Sequence, residues 1–410
     1  MQVVKRLCRL IAIGIIMSFL FPIIRIGSIG FKPDLIFIIF TLPILFFDRE
    51  IMSFSIVKKY RMILFFLLIS LFLSTLVGKI YYNTDASLFP TEYYQIFSRL
   101  TVFVFFLGIG YYKIIKIDDF VKFVSIVFIL GLLFGVLQSI NVPIVKSISL
   151  NYYAITEQQV KGFSSLNFRG FGTSGNILTW GGLSILTFYF FYFLVKNKSL
   201  RIFGIILSVY NILLTASRSA LFALVLSFIL VYFYDTVVIR KRISVFIRKM
   251  LLILLMLIVC VIIFNFLDPD RIELLTIRIL KSEEDLTESS RGAQISTVVD
   301  FVSNDYWNIM FGIGKDKLNE LGFMEVEFIF LLAAYGLVGS ILHYASISAL
   351  FYQIRKVNLY NRYHLFLMSL VISMLIFSLG YFFFREAYSG VVFWWLMGFI
   401  LGVYIRESKT

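Results

Sequence analysis

"LLTASRSALFALVLSFIL", residues 213–230, decides how this chain is read. An apolar run ends at Leu214, small and polar residues follow from Thr215 to Ser219, and a second apolar run begins at Ala220. So short an interruption reads as a tight turn between two helices rather than a loop. Arg218 stands inside it, a permanent charge with apolar sequence on both sides. A charge at membrane depth costs about 2.5–3.5 kcal/mol on insertion scales, so such a residue ordinarily faces a cavity or an anionic partner.

The same pattern recurs along the chain. Of 410 residues 60% are hydrophobic, and the mean hydropathy is +0.91, more apolar surface than a soluble core uses. Runs of about 20 apolar residues match a hydrocarbon layer of about 30 Å. Only helices or a closed barrel satisfy the backbone in lipid, and unbroken apolar runs lack the alternation of a barrel. The expectation is an all-α polytopic membrane protein with about twelve spans. They fall at 10–29, 33–47, 62–78, 98–115, 120–140, 176–195, 201–216, 219–235, 249–267, 327–351, 364–384 and 388–405. Residues 1–267 then carry nine spans with an outer loop near 141–175, residues 268–326 form a large outer loop with short helices, and residues 327–410 carry the last three spans. There is no internal repeat.

Charge orients this arrangement. The net charge of +14 is read as topogenic rather than as a nucleic-acid footprint, because cytoplasmic loops retain Lys and Arg. With the N-terminus inside, the cytoplasmic segments hold 23 of the 38 Lys and Arg, although the outer loops are longer. Both termini are therefore expected in the cytoplasm. The opening "MQVVKRLCRLIAIGIIMSFLF" has a basic flank but no small-residue cleavage site, and reads as an uncleaved first span. Cys8 and Cys260 lie in or beside apolar runs, so neither a disulfide framework nor a metal cluster is expected. No metal-ligand spacing, Walker loop or Rossmann glycine pattern occurs, and no cofactor is expected. His343 falls within span ten and His364 at the cytoplasmic start of span eleven, both away from an outer site.

Against the positive-inside preference, the outer side holds Arg169, Arg218, Arg271, Arg278, Arg291 and Arg385. Snorkelling accounts for Arg25, Lys32, Arg271 and Arg278. Arg385 has Glu386 beside it as an ordinary partner. For Arg218 the small residues of the turn leave room for a ligand, although they also serve plain helix packing. Guanidinium forks near span ends suit phosphate oxygens.

In the large loop, "TESSRGAQISTVVDFVSN" reads as a helix capped near Ser289 or Ser290 with an apolar face at Ile295, Val298, Val299 and Val302. "FGIGKDK" reads as a Gly-rich turn. "GFGTSG" loosely resembles a phosphate-cradling loop, and a helix cap or re-entrant turn is the plainer reading. Glu325 and Glu327 stand at the entry to span ten, either as carboxylates complementing a helix N-terminus or as a general base beside the arginines.

This order of features resembles the O-antigen polymerase (Wzy-type) and O-antigen ligase superfamily of membrane glycosyltransferases, a GT-C-like fold. "FRGFGTSGNILTWGGL" is similar to its Arg…Gly…Asn entry to a middle span, and "LLTASRSALFALVLSFIL" to its Thr-x-Ser-Arg turn. "SSRGAQISTVVDF", "NIMFGIGKDK" and "EVEFIFLLAAYGLVG" are similar to its outer loop and the span after it. The likeness covers about residues 165–340; the flanking spans match in hydropathy only.

Two positions depart from the pattern. Glu325-Val326 stand where ligases carry a His-Asn pair, and Ile295 stands where an aromatic is usual. The missing His argues for polymerase over ligase. The resemblance implies a donor and an acceptor that are both oligosaccharides on undecaprenyl pyrophosphate, met at the outer face of a bacterial cytoplasmic membrane. It implies Arg218 and Arg291 on the pyrophosphate, Arg169 and Arg385 as further substrate contacts, and Glu325, or else Glu327, as the proton acceptor. The lipid bilayer, a flippase and a chain-length regulator are the implied partners. An O-antigen ligase-type transferase and a lipid-linked oligosaccharide flippase are the competing readings; the second predicts repeats and broken helices in matching halves.

Overall fold

The computed structural model describes residues 2–22, 24–26, 29–31, 33–47, 49–84, 91–140, 142–153, 170–248, 250–251, 258, 262, 290–321, 326–357, 360–381, 383–384 and 387–409. Within them the apolar runs are helices, the form in which a segment satisfies its own backbone. The first is α1 (Gln2–Met17), prolonged by a 3-10 turn over Ser18–Leu20. After it come α2 (Asp34–Phe47), α3 (Arg49–Ser53), α4 (Ser55–Tyr81), α5 (Thr91–Tyr111), α6 (Ile117–Ser139) and α7 (Pro143–Ile148). The central helices are α8 (Ile177–Leu194), α9 (Lys198–Leu214) and α10 (Arg218–Phe233). Three short helices follow, α11 (Ser290–Ser303), α12 (Tyr306–Phe311) and α13 (Lys315–Leu321), and then come α14 (Glu327–Val357), α15 (Arg362–Ser378) and α16 (Ala387–Glu407).

Among the described residues, six helices are long and apolar enough to cross a membrane: Ser55–Tyr81, Ile117–Ser139, Ile177–Leu194, Arg218–Ile239, Glu327–Val357 and Gly390–Glu407. Shorter apolar helices cover Gln95–Tyr111 and Arg362–Ser378. The outer surface of α4 shows what they face. Met62, Phe65, Phe66, Ile69, Phe72 and Leu73 recur at helical spacing and are all exposed. An apolar stripe of that length suits lipid and not water. The chain is a helical membrane protein.

Helices coincide with the expected spans two to eight, eleven and twelve, whereas the tenth, 327–351, is corrected: it is broken at Gly336, where φ is 66° and ψ is −172°. The ninth, 249–267, lies almost entirely outside the described residues. The first is corrected. α1 begins at Gln2, and Phe21 turns extended at φ −90°, ψ 144°. Ile24–Ile26 (β1) then pairs antiparallel with Ile29–Phe31 (β2), where span 10–29 was expected to continue. Pro22 is the cause, because it drives the residue before it out of the helical region and donates no hydrogen bond itself. The apolar face expected on α11 is narrower than the sequence implied. Val298 and Val302 are buried one helical turn apart, but Val299, about 100° around the helix, is 45% exposed.

Two packing devices position the core. α5 and α16 approach backbone to backbone. A Cβ on Gly398 would stand 2.4 Å from Phe103 O, and one on Gly402 2.2 Å from Leu107 O. Small residues are what allow helices to come so close. Elsewhere in the core, Asn211 on α9 accepts from Trp180 Nε1 on α8 at 2.9 Å and donates to Leu132 O on α6 at 3.0 Å. That amide satisfies buried polar groups from three helices at once.

Candidate functional site

The turn around Arg218 is a close-packed corner. α9 is closed by Thr215, whose N–H bonds the Asn211 and Ile212 carbonyls at 3.2 Å each and whose Oγ1 donates to Ile212 O at 2.7 Å. Ala216 takes a left-handed φ of 46°, uncommon for a residue with a Cβ. Ser217 is extended and caps α10, its Oγ accepting from Ala220 N at 3.3 Å. Thr215, Ala216 and Ser217 are buried against α8, where a Cβ on Gly181 would stand 3.0 Å from Ala220 Cβ. Arg218, the first residue of α10, is exposed, and its side chain makes no hydrogen bond or ion pair among the described residues. Its guanidinium adds to the positive end of a helix whose first N–H groups have few partners. That combination attracts anions.

Beside this corner runs the loop that enters α8. Gly170 N bonds Leu214 O at 3.1 Å, tying the loop to the end of α9. Gln138 clasps Gly172 from both sides, accepting from its N–H at 2.9 Å and donating to its carbonyl at 3.1 Å. Asn176 caps α8, accepting from Leu178 N at 2.9 Å and Thr179 N at 3.2 Å, and it donates to Tyr381 Oη at 2.9 Å. A Cβ on Gly172 would fall 2.1 Å from the Trp180 ring. The loop is therefore filled by its own chain. Its loose likeness to a phosphate cradle gives way to a helix cap.

The connection between α15 and α16 joins these parts. Gly380 lies against the Arg218 corner, where its Cβ would stand 2.5 Å from Ser219 Cβ. Tyr381 meets Asn176. Phe383 N and Phe384 N both donate to Glu327 Oε2, at 2.9 and 3.2 Å. Glu327 is 0% exposed, and its Oε1 lies 3.9 Å from His343 Nε2. His343 was expected far from this region, and that expectation is corrected. Sixteen residues of straight helix would separate the pair by about 24 Å. They meet because α14 reverses at Gly336, where φ is 66° and ψ is −172°.

The reversal is held from outside. The last carbonyls of the half-helix 327–335 lose their own-helix partners at the break, and Ile313 N and Gly314 N replace them, reaching Ala333 O at 2.9 Å and Ala334 O at 3.1 Å. Ser74 on α4 also donates to Ala334 O. A Cβ on Gly312 would be 2.4 Å from Ala334 C and O, so the "FGIG" segment sits directly on the break. Gly312 and Gly314 both have φ 78°, which fits the Gly-rich turn expected there. The "FGIG" turn and Gly336 therefore form one junction.

The candidate residues thus divide. Arg218 and Glu327 are described in full, one exposed at the corner and the other buried under the 379–384 connection. Arg291 stands in the first turn of α11, its side chain outside the described set. Arg169, Glu325 and Arg385 lie outside the described residues, each within two residues of a described segment at Gly170, Val326 and Phe384. Sequence reasoning missed four residues. Tyr381 and the Phe383 and Phe384 amides carried no signal. Arg99 did carry one. It is an arginine inside an apolar run, it is 7% exposed on α5, and its Nε lies 3.8 Å from where a Cβ on Gly390 would stand. No protein-family model matches this chain, and no curated protein matches it either.

Proposed function

We propose that this chain is a polysaccharide polymerase that joins undecaprenyl-pyrophosphate-linked oligosaccharide repeat units at the outer face of the bacterial cytoplasmic membrane. In this reading twelve spans of a GT-C-like fold leave both termini inside, and the loop 268–326 covers the outer site. The observation that carries the reading is Arg218, an exposed guanidinium on the first residue of a membrane helix, in a corner built of small buried residues. Preorganised positive charge there stabilises a leaving pyrophosphate without reorganisation during the reaction.

The chemistry follows from that leaving group. An acceptor sugar hydroxyl attacks the anomeric carbon of the donor, a C–O bond forms, and the bond to the pyrophosphate oxygen breaks. The electron pair leaves with undecaprenyl pyrophosphate, held by Arg218, Arg291 and Arg169, with Arg385 as a further glycan contact. Glu325 takes the hydroxyl proton. Holding two lipid-tethered glycans together supplies much of the rate through proximity.

The test is polymer formation in membranes of a polymerase-null strain given purified lipid-linked repeat unit. Wild type should build a ladder of products. Arg218→Ala, at equal membrane-inserted amount, should cut ladder formation at least about a hundredfold, the order seen when one preorganised transition-state donor is removed. A ladder unchanged by Arg218→Ala refutes the site. A matched repeat unit left single by wild type refutes the polymerase and favours the ligase or flippase readings.

A further inference from the structure

We propose that Glu327 is a positioning residue: its buried carboxylate clasps the 379–384 connection to the half-helix 327–335 and so sets where the Arg218 corner and the α8 cap stand. The inference deepens the polymerase reading, and its activity arm rests on that reading. Three observations carry it. Glu327 is 0% exposed, so no acceptor hydroxyl reaches it. Its Oε2 already accepts from Phe383 N and Phe384 N at 2.9 and 3.2 Å, and a proton taken there would displace an amide. Its Oε1 faces His343 Nε2 at 3.9 Å across the reversal at Gly336, so the same carboxylate also closes the hairpin.

The connection that Glu327 holds touches both halves of the proposed site. Tyr381 Oη accepts from Asn176 Nδ2, the cap of α8, at 2.9 Å. Gly380 lies against Ser219, next to Arg218, closely enough that its Cβ would be 2.5 Å from Ser219 Cβ. On the far side of the same connection, Phe383 O, Phe384 O and Arg99 Nε all lie within 4 Å of where a Cβ on Gly390 would stand. A buried carboxylate is tolerated where hydrogen bonds and a partner hold it, and its removal leaves those donors without an acceptor. The arrangement is that of a fixed strut from α14 to α8 and α10.

The experiment separates a strut from a base. Glu327→Gln keeps a carbonyl oxygen for the two amides and offers an N–H toward His343 Nε2, whereas Glu327→Ala offers neither. Each is tested in two arms. The first is the ladder assay with lipid-linked repeat unit. The second needs no activity: Ile177→Cys and Leu379→Cys, which leave the Asn176–Tyr381 bond in place, are introduced in a chain carrying Cys8→Ser and Cys260→Ser, and the yield of bifunctional-maleimide cross-link is measured in membranes. We expect Glu327→Gln to retain ladder and cross-link within about threefold of the parent. Glu327→Ala should lose at least about tenfold in both, because two buried amides lose their acceptor.

A lost ladder in Glu327→Gln with the cross-link intact overturns the proposal, since the carboxylate would then be needed for proton transfer. A parental cross-link yield in Glu327→Ala overturns it as well. If wild type builds no ladder, the polymerase reading fails alone, and the cross-link arm still decides the clasp.

Discussion

Exchange of Gly336 for alanine probes the reversal on which the arrangement of the site depends. Gly336 has φ 66° and ψ −172°, a region nearly restricted to glycine, and holding another residue there costs about 1–3 kcal/mol. The new Cβ would stand 2.4 Å from Met310 O and 2.5 Å from Gly312 N. Both are backbone atoms, so relief requires moving the segment 310–314. That movement stretches the bonds from Ile313 N to Ala333 O and from Gly314 N to Ala334 O, now 2.9 and 3.1 Å. Each buried group left unsatisfied adds about 1–3 kcal/mol. Together these amount to about 3–9 kcal/mol, a large fraction of the ~5–15 kcal/mol that holds a typical protein folded.

Thermal unfolding of the detergent-solubilised protein, followed by fluorescence-detected size exclusion, reads this out. The midpoint should fall by at least about 5 °C. Gly108→Ala is the control. It lies in the last turn of α5, and its new Cβ would meet only Ile51 side-chain carbons at 3.7 and 3.9 Å. Better helix propensity makes that change neutral or slightly stabilising, by up to about 1 kcal/mol. Gly336→Ala melting together with Gly108→Ala would refute the claim that the break at Gly336 is held by the 310–314 segment.

Gly402→Ala should lower the same midpoint, because the new Cβ would fall 2.2 Å from Leu107 O and force α16 off α5; overpacking of this kind costs about 1–3 kcal/mol. A midpoint equal to that of Gly108→Ala would show that the two helices can separate without loss. Asn176→Ala removes the α8 cap and the bond to Tyr381, and should cost about 0.5–2 kcal/mol in the same assay. Asn176→Asp keeps the capping oxygen but not the donor to Tyr381 Oη, so it should recover most of that stability; no recovery would mean that the Tyr381 contact, not the cap, dominates.

The helices were legible because lipid leaves so few alternatives. Once apolar runs exceed about 20 residues, hydrocarbon makes them helices and the hydropathy trace gives their place. That logic located the runs that became α4, α6, α8, α10 and α16. It failed at 10–29, where averaging over the run hid Pro22, and at 327–351, where the same averaging hid Gly336. In both places one residue's backbone preference outweighed twenty residues of hydropathy. The Gly-rich "FGIG" turn and the cap at Asn176 could be read locally, because left-handed turns and helix N-termini are made by particular side chains within a few residues.

By itself, then, the sequence determined a helical membrane protein, a short charged corner at Arg218 and a pair of carboxylates at the entry to α14. It could not determine what those groups meet. Glu327 read as a carboxylate at a helix entry, either complementing the helix N-terminus or acting as a base, and only the tertiary structure buried it beneath Phe383 and Phe384 and brought His343 to 3.9 Å. The partners of Glu327 Oε2 are backbone N–H groups, which every residue but proline carries, so no side chain announced them. Gln138 on Gly172, and Ile313 and Gly314 on Ala333 and Ala334, escaped the sequence for the same reason. Lipid fixes where helices lie along the chain, but the contacts that close a site run between backbones far apart in sequence, and their positions exist only once the helices have packed.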